Sequence, residues 1–417
     1  MKLKSLPAVP AAAAEKSSEG PRLLIYSHDT FGLGHFRRCL KIAKAFKSAY
    51  PESSILLVTG QPQAERYRLP EGTDFIKLPA VVKVGENRYR PRSLGSSFEK
   101  ILELRQNLIF EAAQSFRPHI LLVDHAPLGM KGEIKKTLFE LKNQNPSPLL
   151  ILGLRDILDE PEKVCAAWEA DGIYPVLDEV YDRIFIYGTP EFFDPTSAYR
   201  FGEKARSKTS FTGFVGDRVL GEIAVAEKGD GTAPRKILLT IGGGEDGVEI
   251  VSTYVEMLLA YGDRLNAATI AVLGPFMSEN KRKGFTVRAQ NLSVRFEEFV
   301  PELSEHVRRA DLVISMGGYN TVVEILTGAK RALLIPRVYP RKEQLLRARR
   351  LSELGLVRYI SPEELTPERL YQTVASMLAD PKNPLSEARQ KKLLPLQGAI
   401  TLAEYFRPLL AAQGVVK

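Results

Sequence analysis

Residues 310–355 read ADLVISMGGYNTVVEILTGAKRALLIPRVYPRKEQLLRARRLSELG. DLVISM (311–316) is a short, unbroken apolar run, and Gly317-Gly318 ends it. GGYNTVVEIL then carries a helical pattern, ALLIP (332–336) is a second apolar run, and a basic segment leads into another helix. Strands that are apolar throughout, rather than on alternate residues, are strands covered by helices on both faces of a parallel sheet. Strand and helix in alternation therefore predict an α/β, doubly wound domain.

The same pattern extends in both directions. Upstream lie KILLTI (236–241), the loop GGGEDG, an amphipathic helix over 248–261 and the strand TIAVLG (269–274). Before a stretch that includes GDGTAP and breaks both periodicities, a second series appears: RLLIYS (22–27), then HDTFGLGH, then Phe36, Leu40, Ala43 and Phe46 at helical spacing. SILLVT (54–59), HILLVD ending at Asp124 and PLLILG ending at Gly153 complete it, with helices around 97–116 and 131–143. The predicted organisation is a flexible tail (1–20), a Rossmann-like domain (21–215), a linker (216–234), a second Rossmann-like domain (235–395) and a closing helix (396–417) that packs on whichever domain it reaches. Two such domains face each other across a cleft, and ligands of open α/β sheets sit beyond the carboxyl ends of the strands.

Composition narrows the classes. The chain of 417 residues is 44% apolar and 26% charged, ordinary values for a globular protein. Cys39 and Cys165 supply no disulfide framework and no paired metal spacing, which fits a reducing cytoplasm. The net charge of +8 favours an anionic partner, such as a phosphate, a nucleotide or an anionic lipid surface. Residues 1–20 make a poor signal peptide, and no run of about 18 apolar residues is present to span a bilayer. VKVGENRYRPRS is basic but carries no recognised nucleic-acid signature, so it reads as a loop that grips a phosphorylated acceptor or touches an anionic membrane. No nucleic-acid partner is expected.

Three glycine-bearing loops follow strands and open helices: Gly32-Leu33-Gly34-His35, Gly242-Gly243-Gly244 and Gly317-Gly318 before Tyr319-Asn320-Thr321. Glycine lets backbone amides approach a phosphate, and a helix N-terminus favours its charge. None matches a P-loop, and none has the full dinucleotide spacing. Glu324 lies on the helix after the third loop. It reads either as a surface carboxylate or as a bidentate acceptor for a ribose diol. Arg337, Arg341, Lys342, Arg347, Arg349 and Arg350 follow within fourteen residues, and those ahead of the helix, Arg341 among them, are placed to meet a diphosphate. No Asp-x-Asp pair occurs to hold a divalent cation there, so amides and cations are expected to stabilise a leaving diphosphate without metal or other cofactor.

On the first half, His28, His35 and His125 fall at carboxyl ends of strands, with Asp124 beside His125, and Arg155-Asp156 ends another strand. Histidine titrates near neutrality and is a candidate base. His35 is placed first for that role, with Asp156 and His28 as alternatives. Gly32, Gly34, Arg37, Asp124, His125 and Arg155 are assigned to the acceptor side.

The 310–355 segment resembles the donor-binding half of family 28 glycosyltransferases, the MurG-like group. There a strand leads through a glycine-rich turn to Thr-Val-x-Glu on a helix, then to a Pro-ending strand and a segment closing on Gln. SHDTFGLGHFRR and LRDILD are similar to an uncharacterised "predicted glycosyl transferase" branch of that group. The resemblance implies a GT-B fold and an inverting, metal-independent transfer from a nucleotide diphosphate sugar, UDP-linked by preference. By position it implies Glu324 on the ribose, and Gly317, Gly318, Asn320, Thr321 and Gly242–Gly244 about the diphosphate. Phe299 and Val300 would border the base, Gln344 would bind sugar hydroxyls, and His35 would lie near the acceptor or act as base. The family's double glutamine is Glu343-Gln344 here, and the second glycine loop lacks the usual serine. The acceptor expected is a hydroxyl compound, phosphorylated or lipid-linked, met in the cytoplasm or at the inner membrane face. A nucleotide-sugar hydrolase, a hydrolysing 2-epimerase and a non-catalytic nucleotide-sugar-binding protein are the alternatives on the same fold.

Overall fold

The computed structural model describes residues 20–28, 33–85, 88–216, 233–244, 246–385 and 394–416. All of the expected tail but Gly20 and all but the ends of the expected linker lie outside them, as does Gly32.

The first half builds a seven-stranded sheet in the order β3-β2-β1-β6-β7-β8-β9. Its strands are β1 (Arg22–Ser27), β2 (Ser54–Thr59), β3 (Thr73–Lys77), β6 (Ile120–Asp124), β7 (Leu149–Arg155), β8 (Arg183–Tyr187) and β9 (Thr209–Phe211). Every neighbouring pair is parallel. The second half builds a six-stranded parallel sheet, β12-β11-β10-β13-β14-β15. Its members are β10 (Arg235–Thr240), β11 (Ala267–Val272), β12 (Val294–Glu297), β13 (Leu312–Ser315), β14 (Arg331–Leu334) and β15 (Arg358–Tyr359). The central strands β1, β6, β7, β10 and β13 are buried along most of their length, which is why they read as continuous apolar runs. The two sheets make this a GT-B architecture of two Rossmann-like units.

Strand order fixes where a site can form. It reverses between β1 and β6 in the first sheet and between β10 and β13 in the second. At each reversal the connections leave in opposite directions and open a crevice at the carboxyl ends. Helices α1 (Gly34–Ala49), α2 (Phe98–Phe116), α3 (Val248–Tyr261), α4 (Tyr319–Gly328) and α5 (Glu343–Glu353) flank these crevices or pack behind them.

One feature departs from the expectation, and a second was left open by the sequence. The basic segment read as a loop is an antiparallel hairpin, β4 (Val81–Gly85) with β5 (Arg88–Pro91), anchored by buried Val81 against Ile101 and Met130. Arg88 and Arg90 face solvent on it. The last helix, α6 (Gly398–Ala412), crosses back to the first domain. Phe406 packs edge-on against Phe46 at 5.8 Å, and the Tyr50 hydroxyl donates to Ala403 O at 2.9 Å. A Cβ on Gly398 would lie 2.3 Å from Gly213 O, so only glycine lets the helix start this close to the crossing chain.

Candidate active site

On the first wall, β6 delivers Asp124 and α1 delivers His35 and Arg38. His35 Nδ1 is 2.7 Å from Asp124 Oδ2, while Arg38 forks onto the same carboxylate through Nε (2.9 Å) and Nη2 (2.6 Å). Asp124 has no solvent exposure. Burial would push its carboxyl up, but Arg38 and the His35 hydrogen bond outweigh that and pull it down to about 2. A carboxylate can only accept, so His35 Nδ1 carries the proton and Nε2 keeps its lone pair. Arg38 Nη2 is also 3.0 Å from Nδ1, but a deprotonated Nδ1 would set two lone pairs 2.7 Å apart, so the Asp124 bond decides the tautomer. Burial holds His35 down to about 4 against the opposing pull of Asp124, so the ring is neutral at neutral pH.

His28 and His125 complete a cluster, their rings 5.6 Å and 4.8 Å from that of His35. Burial first, then neighbouring positive groups, lowers both well below the ordinary histidine range. His125 adopts φ 72°, a left-handed conformation costly for a residue with a Cβ. Arg341 Nη1 approaches its Nε2 at 3.3 Å, and its Nδ1 is buried without a partner.

The second wall is made mainly of backbone. Gly242 and Gly244 have φ of 73° and 89°, and a Cβ on Gly244 would stand 2.4 Å from Leu273 O. Gly317 has φ 75°, and Gly318 caps α4. Gly242–Gly244, Gly318, Asn320, Thr321, Phe299, Val300 and Gln344 line a cavity of about 180 Å³, together with Gly34, His35, Arg37, Arg38 and Arg155 from the first wall. Tyr67 meets Phe299 edge-on at 5.8 Å. Arg337 ties the second wall together: it donates to Asp246 Oδ2 (2.6 Å) and Glu343 Oε1 (2.8 Å), and its backbone N donates to Gln344 Oε1 (3.1 Å).

The walls touch. Arg37 pairs with Glu324 Oε1, with Lys41 3.5 Å from the same oxygen, and Asn320 Nδ2 donates to Gly34 O at 2.6 Å. The Tyr319 hydroxyl donates to Tyr187 O and accepts from Val215 N, both at 2.9 Å. Arg347 forks onto Asp156 (2.9 and 2.7 Å) and donates to Gly317 O (3.2 Å).

Several expectations change. Asp156, an alternative base, is wholly buried, held by Arg347 through both oxygens, and does not line the cavity. Glu324 is buried rather than on a helix surface, and Arg37, assigned to the acceptor side, reaches it. Arg341, assigned to the donor, points to His125 and does not line the cavity. Gly317 and His28 also stand behind the lining. Sequence reasoning missed the fixing roles of Arg38, Arg337 and Arg347. Their signal was the basic residue itself, since the carboxylates they hold, apart from Glu343 near Arg337, are far away in the chain.

Residues 251–402 match the glycosyltransferase family 28 C-terminal domain. The chain has a GT-B fold, and residues 251–402 carry the likeness to the family 28 C-terminal domain. The family 28 match takes in Phe299, Val300, Gly317, Gly318, Asn320, Thr321, Glu324, Arg341 and Gln344, while Gly242–Gly244 and the histidine wall lie ahead of it. Among similar proteins, NDP-glycosyltransferase YjiC of Bacillus subtilis (strain 168) is 38% identical over 90 residues, covering 22% of this chain and 21% of its own. The UDP-N-acetylglucosamine--N-acetylmuramyl-(pentapeptide) pyrophosphoryl-undecaprenol N-acetylglucosamine transferase of Rhodospirillum rubrum is 30% identical over 163 residues, 38% of this chain and 42% of its own. The chain thus matches less than half the length of either relative. The solved structure of the spinosyn forosaminyltransferase SpnP superposes with a TM-score of 0.61 at 15% identity, covering 94% of this chain and 99% of that one, a likeness of fold.

Proposed function

We propose that this GT-B protein transfers a sugar from a nucleoside diphosphate sugar, UDP-linked by preference, to an acceptor hydroxyl, with inversion and without a metal. The observation that carries the reading is the Asp124-held, neutral His35 on one wall of a cavity whose other wall is glycine-loop backbone. His35 Nε2 takes the proton of the acceptor hydroxyl, and Asp124 stabilises the imidazolium that forms. The hydroxyl oxygen bonds to the anomeric carbon as that carbon's bond to the diphosphate breaks. The diphosphate leaves with the electron pair, and its charge is met by the amides of the Gly242–Gly244 loop and of α4, with Arg337 beside them. Glu324 accepts from the ribose hydroxyls, Phe299 and Val300 border the base, and Gln344 meets the sugar.

The cavity of about 180 Å³ is below the roughly 300–1,000 Å³ of pockets that hold drug-sized ligands. Binding therefore opens the walls and releases Glu324 from Arg37, and closure over the donor excludes water. No helix among the described residues is long and apolar enough to cross a membrane. The Rhodospirillum relative is named for an undecaprenol-linked acceptor. A phosphorylated or lipid-linked acceptor, met by peripheral contact with an anionic membrane at its cytoplasmic face, belongs to the same proposal. The exposed Arg88 and Arg90 of the hairpin would serve that contact.

The test is calorimetric titration of the full chain with UDP, GDP, TDP and ADP, with and without Mg²⁺, followed by product analysis with the matching sugars. Metal-independent UDP binding and sugar appearing on an added acceptor are expected. Sugar released only to water, or epimerised, would replace transfer with hydrolase or epimerase chemistry. Tight binding with no turnover would make the protein a sensor.

A further inference from the structure

The arginines about the cleft, buried or half-buried, fall into two groups. Arg38 is forked onto Asp124, Arg347 onto Asp156, and Arg337 onto Asp246 and Glu343. Arg155 differs. It ends β7, its guanidinium lines the cavity, and its Nε is shut away from water without a hydrogen-bond partner. No ion pair among the described residues involves it. The carboxylate that acts on it electrostatically, Glu343, makes no ion pair with it: Oε1 is held by Arg337 at 2.8 Å, and Oε2 has no hydrogen-bond partner. Arg38, Arg347 and Arg341 repel it. Burial first, and then those three cations, lowers it to about 10, far below an ordinary arginine.

A desolvated cation without a counter-ion is costly, and a protein that keeps one at a cleft keeps a place for an anion. The planar fork of a guanidinium suits phosphate or carboxylate. The location says whose anion it is. Arg155 belongs to the first sheet and acts electrostatically on His35 and His125, whereas the amide loops that suit a donor diphosphate stand on the other wall. We infer that Arg155, flanked across the cleft by Arg341, is the anchor of a second anion subsite on the histidine side, which binds a phosphate or carboxylate carried by the acceptor. This rests on the glycosyl-transfer reading and narrows its acceptor to an anionic hydroxyl compound.

Inorganic phosphate is the probe. The full chain is saturated with UDP and titrated with phosphate, while the histidine ring resonances are followed. Phosphate is expected to bind with UDP in place and to move the His35 and His125 signals. Arg155→Gln is expected to weaken phosphate by about tenfold or more, the loss of a charge-assisted fork, and to leave UDP affinity unchanged within about twofold. Removing a repelled cation should also leave the thermal midpoint equal or higher, so misfolding is not the expected explanation. Arg155→Lys keeps the charge without the fork, and an intermediate phosphate affinity is expected of it. The inference is overturned if phosphate binds Arg155→Gln as it binds the unaltered chain. It is equally overturned if UDP displaces phosphate and Arg155→Gln weakens UDP instead, which would give Arg155 to the donor. Should UDP not bind at all, the donor reading fails, and the phosphate titration without UDP still decides the role of Arg155.

Discussion

The two walls of the cleft grow from the same topology, a parallel sheet whose strand order reverses at its centre, yet they present opposite chemistry. After β1, β6 and β7 the first wall offers side chains: three histidines, Asp124 and two arginines, mostly buried and mutually held. After β10 and β13 the second wall offers backbone: Gly242 and Gly244, at φ values of 73° and 89°, line it, and Gly317 at 75° turns the chain behind Gly318. A proton acceptor must be a side chain with a tuned affinity for protons, so its surroundings have to be built residue by residue. A diphosphate needs donors that never titrate, and peptide N–H groups at a helix start supply them. On the proposed reading, one wall serves proton transfer and the other meets charge.

That division can be broken at several points. His35→Ala should lower kcat by on the order of 10²–10⁴-fold with nucleotide affinity unchanged; a loss of affinity instead of rate would move His35 to the donor side. Gly244→Ala should weaken nucleotide binding more than tenfold and cost about 1–3 kcal/mol of stability, because the methyl must enter a space where Leu273 O stands 2.4 Å away. Calorimetry and thermal melts would read both, and a variant that binds and melts normally would remove the backbone from the argument. Glu324→Ala should weaken UDP about tenfold, and intact affinity would take the ribose from that residue.

Arg37→Ala should act the other way, tightening UDP by about two- to fivefold, since it frees Glu324 without a contact to the donor. Weaker binding would show that Arg37 itself reaches the nucleotide. Acid stability tests the histidine wall as a whole. His28, His35 and His125 are all lowered in the fold, so below pH about 6.5 the unfolded chain takes up protons that the native one refuses. Stability is complete above that pH and falls towards pH 4 by up to about 1.4 kcal/mol per pH unit for each histidine. Urea melts of a His28→Gln variant should show a shallower slope than the unaltered chain.

The sheets, the glycine loops and the strand-end histidines were legible because each depends on neighbours within a few residues. LVISM followed by Gly-Gly specifies a buried strand and its turn locally. The half-exposed strands β3, β12 and β15 and the β4–β5 hairpin were not, since short edge segments carry little apolar signal. The pairings that define the site were also hidden. Arg38 finds Asp124 across 86 positions, Arg347 finds Asp156 across 191, and Arg37 finds Glu324 across 287. A sequence shows that an arginine and an aspartate exist, but which arginine holds which aspartate is decided by tertiary packing. Asp156 looked like a free strand-end carboxylate for that reason.

The return of α6 to the first domain bears on how the chain is made. The Tyr50 hydroxyl and Ala403 O, bonded in the native state, lie 353 positions apart. At a synthesis rate of about 5–20 residues per second, α1 waits roughly 20 to 70 seconds for the helix that covers Phe46. Through that interval an apolar face of the N-terminal half stands open, although its own sheet could already have formed. A nascent chain halted before residue 398 should therefore be sticky rather than half-finished, and a chaperone that shields α1 would be met during translation rather than after it.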